Sequence, residues 1–112
     1  MSKREWKLLF EDIIESINKI EGYTFGLAFH DFEENSLVID AVVRNIEIIG
    51  EASKNIPTEI QQSFTDIPWQ KLRGIRNRIV HDYFDVDRTI IWHIVINELS
   101  SLKKTLQNHL IN

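Results

Sequence analysis

Glycine and proline punctuate this chain rarely, at four and two positions among 112 residues, and between them apolar side chains recur at steps of three and four. That spacing is the period of a buried helical stripe, and no run alternates in the way a half-buried strand would. The expected fold is therefore all-α, an antiparallel up-and-down bundle of four main helices with one or two short ones. The length allows one core, so residues 1–112 are expected to form a single domain.

Helix ends can be placed from local signals. Ser2 followed by Glu5 fits a capping box, after which Trp6, Phe10, Ile13, Ile17 and Ile20 share one stripe up to a stop near Gly22. The aromatic and acidic stretch from Tyr23 to Asn35 reads as a loop with a helical turn. A second helix from about Ser36 turns Val38, Val42, Ile46, Ile49 and Ala52 inward and ends by Ile56, because Pro57 disfavours a helical residue before it. Gly50 lies inside that helix, where glycine costs about 1 kcal/mol against alanine. Its presence predicts the close approach of another helix, from this chain or from a second copy. Thr58 to Phe64 can form a short helix, Asp66 and Pro68 open another, and a last one starts near Asp85 or Asp87 and carries Ile91, Val95, Leu99, Leu102, Leu106 and Leu110.

Composition narrows the function. There is no cysteine, which removes disulfides, thiol nucleophiles and cysteine-ligated metals and is compatible with a reducing cytoplasm. Charges interrupt every apolar run before a membrane span is reached, and Glu5 and Asp12 break any signal-peptide pattern, so the expectation is a mature cytoplasmic protein with no membrane contact. Thirteen basic against seventeen acidic residues give a net charge of −4, which disfavours a protein that coats nucleic acid. The basic residues are nevertheless clustered. Lys71, Arg73, Arg76 and Arg78 fall in the acid-free stretch from Lys71 to His81, so contact with a polyanion should be local; a solvated helix face is the plainer reading.

If one helix runs from Trp69 toward Asp87, then with Arg76 set at zero Leu72, Ile75 and Ile79 occupy about 260° to 320° and form its buried stripe. Arg73, Asn77, His81 and Tyr83 take about 60°, 100°, 140° and −20°, an exposed arc of cation, amide, imidazole and phenol. Asn77 could then orient His81 at i and i+4. Arg76 and His81 stand about 140° apart, so they reach one phosphate only through the long arginine, a helix end near His81, or a second motif across a two-fold dimer. Histidine and arginine without a carboxylate cluster suit RNA cleavage by the RNA's own 2′-hydroxyl, in which the protein only moves protons and stabilises charge. The alternative is that His81 merely complements a helix C-terminus.

Arg76, four residues, His81, one residue and Tyr83 resemble the Arg-x-x-x-x-His-x-Tyr motif of HepT-like proteins in the HEPN superfamily. The stretch AVVRNIEIIGEASKNIP from Ala41 to Pro57 is similar to the second-helix signature of that group, and Trp69 with LRGIRNRIVHDYF to its catalytic helix. The resemblance implies a HEPN-like helical bundle, usually a homodimer, acting as a metal-independent endoribonuclease toxin with no cofactor. The implied partners are an RNA substrate and an MntA-like nucleotidyltransferase antitoxin. Carried over, Arg76 and His81 are catalytic, Asn77 and Arg73 support them, and Tyr83 is the tyrosine the antitoxin adenylylates. Arg44, Asn45 and Glu51 match the second-helix pattern and read as interface packing. Members of the superfamily also serve as non-catalytic scaffolds that bind nucleic acid or a nucleotidyltransferase.

The remaining features read as structural. His30, His93 and His109 have no partner at metal-ligand spacing. Asp82, Asp85 and Asp87 lack the glycine and terminal glutamate of an EF-hand and are better taken as caps, and Trp6, Trp69 and Trp92 as core.

Overall fold

A computed structural model describes residues 5–82 and 85–111, with His81 and Asp82 placed by their backbone alone. Its helices are α1 (Trp6–Thr24), α2 (Phe29–Glu33), α3 (Ser36–Lys54), α4 (Thr58–Ser63), α5 (Trp69–Arg73), α6 (Ile75–Ile79), α7 (Arg88–Asn97) and α8 (Leu99–Ile111). Between α6 and α7 lie two short strands, β1 (Val80–Asp82) and β2 (Asp85–Val86).

The bundle is organised on α1 and α3, which make its most extensive contact. Phe10, Ile13, Ile17 and Ile20 of α1 and Val42, Ile46 and Ile49 of α3 are fully buried, each contributing about 1.5–3 kcal/mol of transfer free energy. Asn35 starts α3 by accepting a hydrogen bond from the Val38 amide at 3.1 Å, a cap worth about 1 kcal/mol. At the far end α3 stops at Lys54, in keeping with Pro57, which itself caps α4. Helix α8 covers α1, and Lys103 donates to Asn18 and Glu21 across that contact.

One end of the core is aromatic. Phe10, Phe64, Trp6 and Trp69 meet at centroid distances from 5.1 to 6.0 Å, mostly edge to face, and the Trp69 indole donates to the Phe64 carbonyl at 3.0 Å. His109 stacks on Phe64 and bonds Asp66 at 2.8 Å. Trp92 packs against Phe29 and Phe32. Tryptophans and His109 are thus spent on packing.

Four expectations are corrected. Glu5 is the extended residue before α1, so it is not the third residue of a helix begun at Ser2, which itself lies outside the described residues. Helix α1 passes through Gly22 and ends at Thr24, whose hydroxyl donates back to the Ile20 carbonyl at 2.9 Å. The last helix, capped by Asp87 through a 3.1 Å bond from the Ile90 amide, bends at Glu98 into α7 and α8.

The fourth correction concerns the motif. Its helix is broken at Gly74 and ends at Ile79, because the chain then extends and pairs with itself. Val80 lies opposite Val86, Asp82 opposite Asp85, and the Asp87 amide donates to the Ile79 carbonyl at 2.7 Å. This two-stranded ladder is too short to leave an alternating signature in sequence.

Candidate active site

Three seats fix the segment that carries the motif. On one side α5 and α6 lie against α3 at Gly50, where a methyl group would come within 3.2 Å of Ile75 Cγ2 and 3.6 Å of the Leu72 carbonyl oxygen. The helix that Gly50 was expected to admit therefore belongs to the same chain. Leu72, Ile75 and Ile79 form the buried stripe as the helical period predicted. On the other side α6 meets α7, and beyond Ile79 the ladder to β2 takes over.

The basic side chains do not form one patch. They fan out to three different elements. Arg73 is exposed and donates to the Gln61 amide oxygen on α4. Arg76 reaches α3, with its Nε 3.3 Å from Glu47 Oε2. Arg78 turns the opposite way and grips Glu98 at the α7–α8 junction, its two terminal nitrogens donating to the two carboxylate oxygens at 2.8 and 2.7 Å.

Exposure separates the two arginine pairs. The Arg76 side chain is 63% exposed and Glu47 40%, so solvent screens that single contact and an anionic ligand can replace it. Arg78 and Glu98 are less than a third exposed, and their bonds are bidentate and charge-assisted. The hydrogen bonds from Arg78 hold the Glu98 carboxyl below its usual range against the opposing effect of burial, and the same bonds raise Arg78. Of these two arginines, Arg76 is the more accessible cation, and Arg78 is held as a structural tie.

The sequence-predicted site residues separate accordingly. Arg76 and Asn77 are both exposed on α6. His81 is not on that helix; it sits in β1, two residues past its end, so Asn77 and His81 are not i and i+4 neighbours on one helix and the continuous polar arc does not form. With a helix end between Arg76 and His81, the angle of about 140° that one continuous helix would set between them no longer applies. Tyr83 lies outside the described residues. On α3, Asn45 is buried and donates to the Ala41 carbonyl, whereas Arg44 and Glu51 are exposed.

The tie between Arg78 and Glu98 was missed from sequence, since twenty residues and two strands separate its partners. His93 belongs to the same network. Its Nδ1 is 3.1 Å from Asn97 Nδ2 and its Nε2 3.6 Å from Glu98 Oε2. With the Asn97 amide donating to Nδ1, the ring presents Nε2–H toward Glu98.

Among the described residues no group of three or more histidine, aspartate or glutamate side chains could hold a metal ion, and no helix is long and apolar enough to cross a membrane.

Comparison with known proteins adds an independent line. The family model described as ribonuclease HepT-like matches residues 13–109. "Probable ribonuclease HepT" of Thermococcus cleftensis is 42% identical over 101 residues, which span 90% of this chain and 92% of that protein. "Putative RNase MJ1380" of Methanocaldococcus jannaschii is 36% identical over 107 residues, 96% of this chain and 98% of that one. No solved structure matches at a significant level.

Proposed function

The chain belongs to the ribonuclease HepT-like family, and from that membership we propose that it is a metal-independent endoribonuclease whose site is built on Arg76 and His81. The observation that carries the reading is the placement of the two residues on either side of one helix end: Arg76 exposed on α6 with a weak, replaceable partner, and His81 on the strand that leaves that helix.

The reaction needs no nucleophile from the protein. His81 takes the proton of a ribose 2′-hydroxyl, the 2′-oxygen attacks the adjacent phosphorus, and the bond to the 5′-oxygen breaks. The leaving oxygen takes a proton from an imidazolium or from water, and the other product ends in a 2′,3′-cyclic phosphate. Arg76 moves from Glu47 to the phosphate, where it stabilises the charge that develops on the non-bridging oxygens. Arg73 and Asn77, exposed beside it, position the backbone of the RNA.

The finer reading follows the family resemblance. The protein acts in the cytoplasm as the toxin of a toxin–antitoxin pair, works as a homodimer with its two motifs around one cleft, and is silenced when an MntA-like nucleotidyltransferase adenylylates Tyr83.

Purified protein incubated with RNA in EDTA tests the core of this reading. Cleavage should persist, leave cyclic phosphate termini, and fall about 10²-fold or more in both Arg76→Ala and His81→Ala. Full activity in both variants, or an absolute need for a divalent ion, overturns it.

A further inference from the structure

A cavity of about 510 Å³ opens beside the motif, lined by Arg78, Thr89, Ile90 and His93. Its position is set by the hairpin that carries His81. Arg78 lies on α6 just before β1, whereas Thr89 and Ile90 lie on α7 just after β2, so the walls are the two roots of that hairpin. The pairing of Val80 with Val86 draws these roots together. Whatever occupies the cavity therefore sits at the foot of the strand bearing His81.

We propose that this cavity is a nucleobase subsite, which receives one unstacked base of the RNA at the foot of the strand that bears His81. The inference rests on the ribonuclease reading and adds to it a determinant of sequence preference.

Charge and shape both favour a neutral, planar occupant. Arg78 is already paired through its bidentate bond to Glu98, which takes two of its five N–H donors and offsets its charge, so it is a poor seat for a phosphate. What it still offers the cavity is a flat guanidinium surface. His93 offers a second flat ring, held in place by Asn97, with 61% of its side chain exposed. Single-stranded RNA is read largely by bases splayed onto histidine rings and arginine planes. Ile90 supplies an apolar wall and the Thr89 hydroxyl can donate to or accept from a base edge. The volume lies within the range of about 300–1,000 Å³ common to small-molecule sites. Division of labour follows, with Arg76 on the opposite side of α6 taking the phosphate and the Arg78 cavity taking the base.

The test uses uncharged ribonucleosides, so that base binding is read without catalysis. Adenosine, guanosine, cytidine and uridine are titrated separately into the intact protein while the His93 ring and Ile90 methyl resonances are followed by NMR, with inorganic phosphate as the comparison. At least one nucleoside should shift both signals at millimolar concentration, and phosphate should not. Thr89→Trp, which fills the cavity from an exposed position, and His93→Ala, which removes one stacking face, should each weaken that binding about ten-fold. In cleavage of a set of oligoribonucleotides differing at one base, the same variants should flatten the preference by a similar factor. Circular dichroism checks that both variants remain folded. Shifts with phosphate alone, no shift with any nucleoside, or a cleavage preference that survives both variants overturns the subsite while leaving the ribonuclease reading intact. Nucleoside binding in a protein that cuts no RNA supports the base site and removes the catalytic reading.

Discussion

Arg78 and Glu98 face each other as a closed fork, two nitrogens to two oxygens at 2.8 and 2.7 Å, and in doing so join α6 to the bend between α7 and α8. Helix α6 spans only Ile75–Ile79, far too short to be stable alone. Its orientation depends on two anchors, the apolar seat of Ile75 and Ile79 and this ion pair.

Replacing Glu98 with Gln should lower stability by about 1–2 kcal/mol at neutral pH, the range for hydrogen bonds to a charged group that is not fully buried. The effect has a pH signature. Because Arg78 lowers the folded-state pKa of Glu98, its stabilisation is fully present above the usual glutamate value and is lost as pH falls through the lowered one. Urea unfolding of both proteins should therefore show a gap at pH 7 that narrows as the pH falls below the usual glutamate value. A gap that stays constant down to that range would show that Glu98 acts through packing alone.

Two glycines within long helices should respond to alanine with opposite sign. At Gly22 nothing lies within 4 Å of an added methyl, so Gly22→Ala should stabilise by about 0.5–1 kcal/mol through helix propensity. At Gly50 the same methyl meets the buried Ile75 at 3.2 Å. Gly50→Ala should forfeit its propensity gain and destabilise by about 1 kcal/mol, and Gly50→Val by more, since overpacking a core costs about 1–3 kcal/mol. Thermal unfolding of the variants checks the ordering. Stabilisation by Gly50→Ala would mean that α5 and α6 are seated less tightly than the structure has them.

These glycines also show what the sequence could and could not disclose. Gly50 inside an apolar stripe, Pro57 after α3 and Asp87 before α7 act within a few residues of themselves, and each was legible. Gly22 carried the same kind of signal and lies two residues short of the end of α1 at Thr24. The end of the motif helix was illegible for another reason. No glycine or proline follows Ile79; the chain leaves the helix because Val80 pairs with Val86 and the Asp87 amide takes the Ile79 carbonyl. Both contacts depend on chain that folds back. Residue types at the site were readable, and the directions in which Arg73, Arg76 and Arg78 diverge were not.

The proposed dimer can be tested through the site itself. If each site pairs Arg76 of one protomer with His81 of the other, two inactive variants complement each other. A heterodimer of Arg76→Ala with His81→Ala contains one site with both groups and one with neither. Mixed after unfolding and refolding together, the variants should recover about one quarter of wild-type cleavage, since about half the dimers are mixed and half of each is active. No recovery, in a mixture shown by sedimentation to contain dimers, would place Arg76 and His81 of a single chain in each site.

The last prediction concerns Tyr83, two residues beyond His81 in the motif. Attachment of AMP to its phenol would add a phosphodiester and a nucleoside two residues along the chain from His81. The new negative charge competes with RNA for Arg76, whose partner Glu47 is weakly held, and the nucleoside occludes the cleft. Inhibition then arises without loss of fold, so the modified protein should unfold cooperatively near the wild-type midpoint while cleaving at least ten-fold more slowly, the scale on which losing a charge-stabilising contact acts. Coexpression with an MntA-like nucleotidyltransferase followed by intact-mass measurement reads the modification directly. Mass gains in multiples of AMP that vanish in Tyr83→Phe assign the acceptor. A gain that survives Tyr83→Phe moves the modification elsewhere, and no gain at all requires the partner to inhibit by binding.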